Sequence, residues 1–159
     1  MPASAAVPRV YEGETSQGKA LTAAFSKSDS GGLRLQGITF NTLKLTCSVD
    51  GSVERWGIGA IWRRGLPLDG RTLTIDEVDS EFAWHVAAKV RATHIAGSLL
   101  RFSHAALTAD ELPQICTTGD LTWTATRTVP TPATAEGPSV GTSFTRAIRG
   151  ATIMFTRLR

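Results

Sequence analysis

The residues of this chain with chemistry to offer are three histidines, a short acidic run and four tryptophans. A zinc site needs several ligands within bonding distance of one point, and the spacing of His85, His94 and His104 tells against convergence. His104 alternates with Leu100, Phe102 and Ala106 and so takes the apolar face of a strand. His85 falls on the other face from Val86, and His94 sits near a loop, opposite Leu100. The acidic run is Asp76, Glu77, Asp79 and Glu81. Glycoside cleavage needs two carboxylates flanking one bond at a set separation. One loop seldom supplies both, so the run reads as solvated. Serines abound, but no Gly-x-Ser-x-Gly elbow holds one against a base. No catalytic residue, metal ligand or cofactor site is predicted, and the chain is not expected to be an enzyme.

Trp56, Trp62 and Trp84 offer a different chemistry. Trp56 and Trp62 are an even number of residues apart and would project from one face of an unbroken strand. Two readings stand: core tryptophans, as expected for Trp123, or an exposed platform that stacks on polysaccharide rings. Thr15-Ser-Gln-Gly18 is a polar, glycine-supported turn whose side chains suit bonding to backbone. No helix follows it, so it lacks the setting of a phosphate cradle.

The elements that must position these residues are strands. Leu33–Gly51 is organised in two-residue periods: Leu33 and Leu35, then Ile38 and Phe40, then Leu43, Leu45, Cys47 and Val49. The phase slips next to Gly37 and around Asn41, where bulges would return the apolar side to the core. Asp50-Gly51 signals a hairpin into the apolar, glycine-rich run Val53–Trp62. Val10–Lys19 and Leu21–Phe25 form an earlier strand pair, followed by the turn Ser26–Gly32. Within 82–107 a three-residue loop, Ala96-Gly97-Ser98, pairs Ala92 with Phe102, Val90 with His104 and Ala88 with Ala106, aligning the apolar faces. Thr108–Pro113 is the one helical turn expected, kept short by Pro113. Leu121, Trp123 and Ala125 mark the next strand, facing inward.

The organisation expected is a flexible arm over 1–8, a domain over 9–128, a Pro-rich linker over 129–141 and a strand-like, Arg-rich tail over 142–159. The tail would form a hairpin across Arg149-Gly150, adding to this domain's edge or a neighbour's. Phe144, Arg146, Ile148, Ile153, Phe155 and Arg157 are its candidate assembly residues. At 159 residues the chain is long enough to bury its own core. A net charge of +3, without a clustered Lys/Arg stripe, does not call for nucleic acid. No apolar run is long enough for a transmembrane helix. The opening Met-Pro-Ala-Ser-Ala-Ala-Val-Pro has neither basic nor apolar signal-peptide regions.

Cys47 and Cys116 are the two cysteines, each beside a strand-like run, a placement that suits a bridge. Closing a loop of about 70 residues would stabilise the fold by roughly 4 kcal/mol and would imply an oxidising compartment. Two buried free thiols in a cytosolic or virion protein are the other reading.

The order Tyr-x-Gly-x-Thr-Ser-Gln-Gly (from Tyr11), Cys-x-x-x-Gly (Cys47, Gly51) and Cys-Thr-x-Gly-x-x-x-Trp-x-Ala (Cys116, Gly119, Trp123, Ala125) resembles β-sandwich domains of exported proteins from high-GC Gram-positive bacteria. Those domains have no established activity. Over residues 9–128 the resemblance implies a jelly-roll-like or immunoglobulin-like antiparallel sandwich and a Cys47–Cys116 bridge. The expectation is therefore an all-β, extracellular or cell-surface module that is structural or binding rather than catalytic. It would self-associate, or bind a protein partner, through its tail. A phage virion decoration or tail protein is the second expectation, and a carbohydrate-binding module the third.

Overall fold

The computed structural model describes residues 8–128, 143–148 (as backbone) and 151–158. Strands β1 (Arg9–Thr15), β2 (Ala20–Lys27), β3 (Leu33–Cys47), β4 (Val53–Pro67), β5 (Thr72–Val78) and β6 (Phe82–Val90) come first. They are followed by β7 (His94–Leu107), β8 (Pro113–Thr117), β9 (Leu121–Thr128), β10 (Ser143–Ile148) and β11 (Ala151–Leu158). All pairings are antiparallel, and the described residues contain no helix.

The two longest pairings radiate from β3 and β7. β3 pairs with β2, β2 with β1, β1 with β9 and β9 with β7; the short β8 then joins β7 back to β3. That ring is a closed six-stranded barrel, which leaves those strands no free edge. Two wings leave it: β4, β11 and β10 extend from β3, and β6 and β5 extend from β7. The expected two-sheet sandwich is thus corrected to a barrel with wings. The cause is β8, which bonds to both long strands where a sandwich would leave a gap between its sheets.

Both predicted phase slips in β3 are present. Its register against β4 shifts between Leu35 and Gly37 and again between Phe40 and Leu43. Leu35, Ile38, Phe40, Leu43, Leu45 and Cys47 are all buried as a result. Val49 is not; it sits in the turn after β3 and is exposed.

The hairpin within 82–107 differs in register from expectation. Val90 faces Ile95, Ala88 faces Gly97, Trp84 faces Phe102 and Phe82 faces His104, so the chain turns at residues 91–93. Gly97 is spent on packing instead: a Cβ there would run into the Trp123 ring, which lies across it from β9. From Phe82 to Ala87 the displacement is by an even number of residues, so His104 keeps its expected face with a different partner; a bulge between Ala87 and Ala88 makes the displacement odd toward the turn. Thr108–Pro113 forms no helical turn. Glu111 N–H donates to Thr108 O at 2.9 Å and Leu112 N–H to Thr108 Oγ1 at 3.0 Å, closing a tight β7–β8 turn with Glu111 at φ 61°.

The segment 142–159 is no free tail where it is described. β11 runs along β4 from Ala151 opposite Trp62 to Leu158 opposite Arg55, and β10 pairs with β11. Ala151, Ile153 and Phe155 are buried. Phe155 stacks on Phe82 of the other wing (ring centroids 4.6 Å apart) and on Phe102 (5.5 Å). Trp56 meets Phe102 at 6.0 Å in the same space. The wings therefore share an aromatic core beside the barrel. Residues 1–7 of the expected arm and 129–141 of the expected linker lie outside the described residues, as do the side chains of Phe144, Arg146 and Ile148.

Candidate functional site

An open groove of about 930 Å³ lies where barrel and wings meet, lined among others by Cys47, Glu54, Trp56, Phe82, His104 and Arg157. Its chemistry centres on Glu54, which alternation along β4 turns toward β7. Glu54 Oε1 lies 2.5 Å from His104 Nε2, and the two side chains are nearly excluded from solvent. Trp56 Nε1–H donates to the same oxygen at 3.3 Å. Arg157 donates to Oε2 at 3.0 Å from the half-exposed end of β11. His104 Nδ1 lies 3.0 Å from the carbonyl oxygen of Ala105, which can only accept, so Nδ1 carries a proton. Both ring nitrogens are thus engaged. A general base needs a nitrogen free to accept a proton, so this imidazole does not serve a serine as a triad histidine would. The arrangement clamps β4, β7 and β11 together.

Beside the pair lies the disulfide. Cys47 and Cys116 are bonded, with a sequence separation of 69, and are direct partners across β3 and β8. His104 is in turn the direct partner of Cys116 across β8 and β7. At the groove's rim, Asp50 Oδ1 accepts from Ser52 Oγ at 2.6 Å and from Ser52 N–H at 2.9 Å, and Gln114 donates to Oδ2 at 3.2 Å. These bonds, Ser52's first, hold the Asp50 carboxyl below its usual value although burial opposes them.

The three histidines go to three separate places. His85 meets Asp76 on the outer face of the β5–β6 pair at 2.8 Å, and His94 is exposed beside Thr93. Of the acidic run, Asp79 accepts the N–H groups of Glu81 and Phe82 and so shapes the β5–β6 turn, while Glu81 reaches the groove. Glu77 sits on β5 opposite Trp84. Of the two readings of the tryptophans, burial accords with the core one: Trp56, Trp62 and Trp84 are all buried, with Trp84 fully enclosed and its Nε1 without an acceptor among the described residues. Only Trp56 contributes to the groove wall.

Gln17, in the Thr15–Gly18 turn, performs a structural task. Its amide donates to Lys44 O and accepts from Lys44 N–H, both at 2.9 Å. Lys44 lies between Phe40, where β3 stops pairing with β2, and Thr46, where pairing with β8 begins. The side chain stands in for the missing strand there and satisfies backbone groups that would otherwise lack a partner.

Glu54 was absent from the sequence-predicted sites. Its signal was weak: an acidic residue two positions before Trp56 on a strand whose buried face Trp56 occupies. Ile153, Phe155 and Arg157, expected at an assembly surface, lie respectively in the core, in the core and on the groove. No family model, curated protein or solved structure matches the chain.

Proposed function

We propose that this protein is a non-catalytic structural or binding module of an exported or surface protein, and that copies join by exchanging the β10–β11 hairpin. One observation carries the reading. β11 fills the edge of β4 and supplies Ile153 and Phe155 to the inter-wing core, yet the chain reaches β10 from β9 only through residues 129–142. A connection of that length spans up to ~45 Å when extended, so a hairpin from a neighbouring copy fits the same edge with the same contacts. Such exchange is a low-cost route to assembly because it creates no new interface chemistry. The Cys47–Cys116 bridge supports work outside the reducing cytoplasm. Among the described residues no helix is long and apolar enough to cross a membrane.

Light scattering tests this. Shortening 129–142 so that the hairpin cannot return to its own β4 should convert the protein to discrete oligomers. Monomers of unchanged stability from that variant, together with a full chain that stays monomeric at every concentration, would sink the reading.

A further inference from the structure

The clamp's carboxylate also stands beside the two disulfide sulfurs. Sγ of Cys47, Sγ of Cys116 and a carboxylate oxygen of Glu54 all lie within 4.8 Å of one another. They sit on three adjacent strands, β8, β3 and β4, so their spacing is fixed by backbone pairing. We infer that these three side chains form a latent site for a soft divalent cation of the zinc class, closed while the disulfide stands and opened when it is reduced.

The chemistry follows from what each sulfur is. In the disulfide neither sulfur carries charge, and neither is an effective zinc ligand. A phosphine reductant with water delivers two electrons and two protons, breaking the S–S bond to give two thiols and a phosphine oxide. Cation binding then forms two metal–sulfur bonds and releases both thiol protons to solvent. Metal–sulfur bonds of ~2.3 Å and metal–oxygen bonds of ~2.0–2.2 Å set tetrahedral ligand atoms ~3.3–3.8 Å apart. The present cluster, with its donor atoms within 4.8 Å of one another, is on that scale. His104, through its 2.5 Å contact with Oε1, is the positioning residue that aims the carboxylate. The groove opens on Cys47 and Glu54 and gives the ion a path in and water a fourth position. A bound ion would re-tie the strands that the disulfide ties.

Cobalt(II) is the probe, because thiolate ligation gives it a charge-transfer band in the near ultraviolet. The full chain, reduced with a phosphine and desalted without oxygen, should bind one equivalent with that band and with intense tetrahedral d–d absorption; zinc should bleach both. The oxidised chain should show neither. Glu54→Gln should weaken binding by about tenfold or more while the charge-transfer band persists, His104→Gln should weaken it less, and Cys47→Ser with Cys116→Ser should remove the band. Reduced wild type that gives no charge-transfer band, or Glu54→Gln that binds as tightly as wild type, overturns the inference. If reduction unfolds the chain, cobalt must restore the strand circular dichroism along with the band; failure to do so overturns it equally.

Discussion

Glu54 and His104 touch at 2.5 Å from strands 50 residues apart in sequence, joining the β4 wing to the barrel strand β7. Removing one member leaves the other buried and short of a partner. His104→Ala should cost about 2–3 kcal/mol, below the full cost of a stranded buried charge because Arg157 still holds Oε2. Adding Glu54→Gln to that variant should cost little more. Urea denaturation of both single variants and the double variant measures the coupling, which should exceed that of the exposed Arg101–Asp120 pair.

β11 offers an internal control for whether the C-terminal hairpin belongs to the fold. Phe155 is buried between Phe82 and Phe102, while its neighbour Met154 points outward and is half-exposed. Phe155→Ala should destabilise by about 3–5 kcal/mol through the cavity it leaves. Met154→Ala should stay within about 0.5 kcal/mol of wild type. Equal effects in chemical denaturation would mean that the strand does not dock as described.

Gly13 in β1 faces Ala125 in β9, and a Cβ there would fall within 2.6 Å of Ala125 Cα and onto the Thr124 carbonyl. Those atoms are backbone and cannot rotate away. Gly13→Ala should cost about 3 kcal/mol, the upper end for overpacking, visible as a lowered denaturation midpoint.

Asp50 sets an acid response. Its carboxyl is held below the ordinary value of 3.8 in the fold, chiefly by the Ser52 hydroxyl and N–H. A depressed folded value means that the stabilisation is complete above the unfolded value and is lost as pH falls through 3.8 toward the lower folded one. Thermal unfolding of Asp50→Asn, followed from neutral to acid pH, should show a shallower decline below pH 4 than wild type, by about the share one carboxylate contributes.

The strands and their buried faces were legible because alternation is a local property. In β3 even the slips at Gly37 and Asn41 could be read, since each interrupts an otherwise strict period. Closure was not legible: it depends on β8, a five-residue strand that buries Gln114 and exposes Ile115, so its apolar residues do not mark its inner face. The 82–107 register failed for a specific reason. Gly97 looks like turn chemistry, and nothing local says that it exists to accommodate Trp123, a residue on another strand. Glu54 escaped for the same kind of reason, since the partners that make it notable come from β7 and β11.

β3 and β7 each serve two structures at once, with one stretch closing the ring and the same residues carrying a wing. Neither part can loosen without peeling hydrogen bonds from a strand the other still holds. Amide protons deep in the ring and in the wings should therefore exchange through one shared opening, and heat should melt the molecule in a single step. Among the described residues, ring and wings have no seam along which half of the fold could come undone alone.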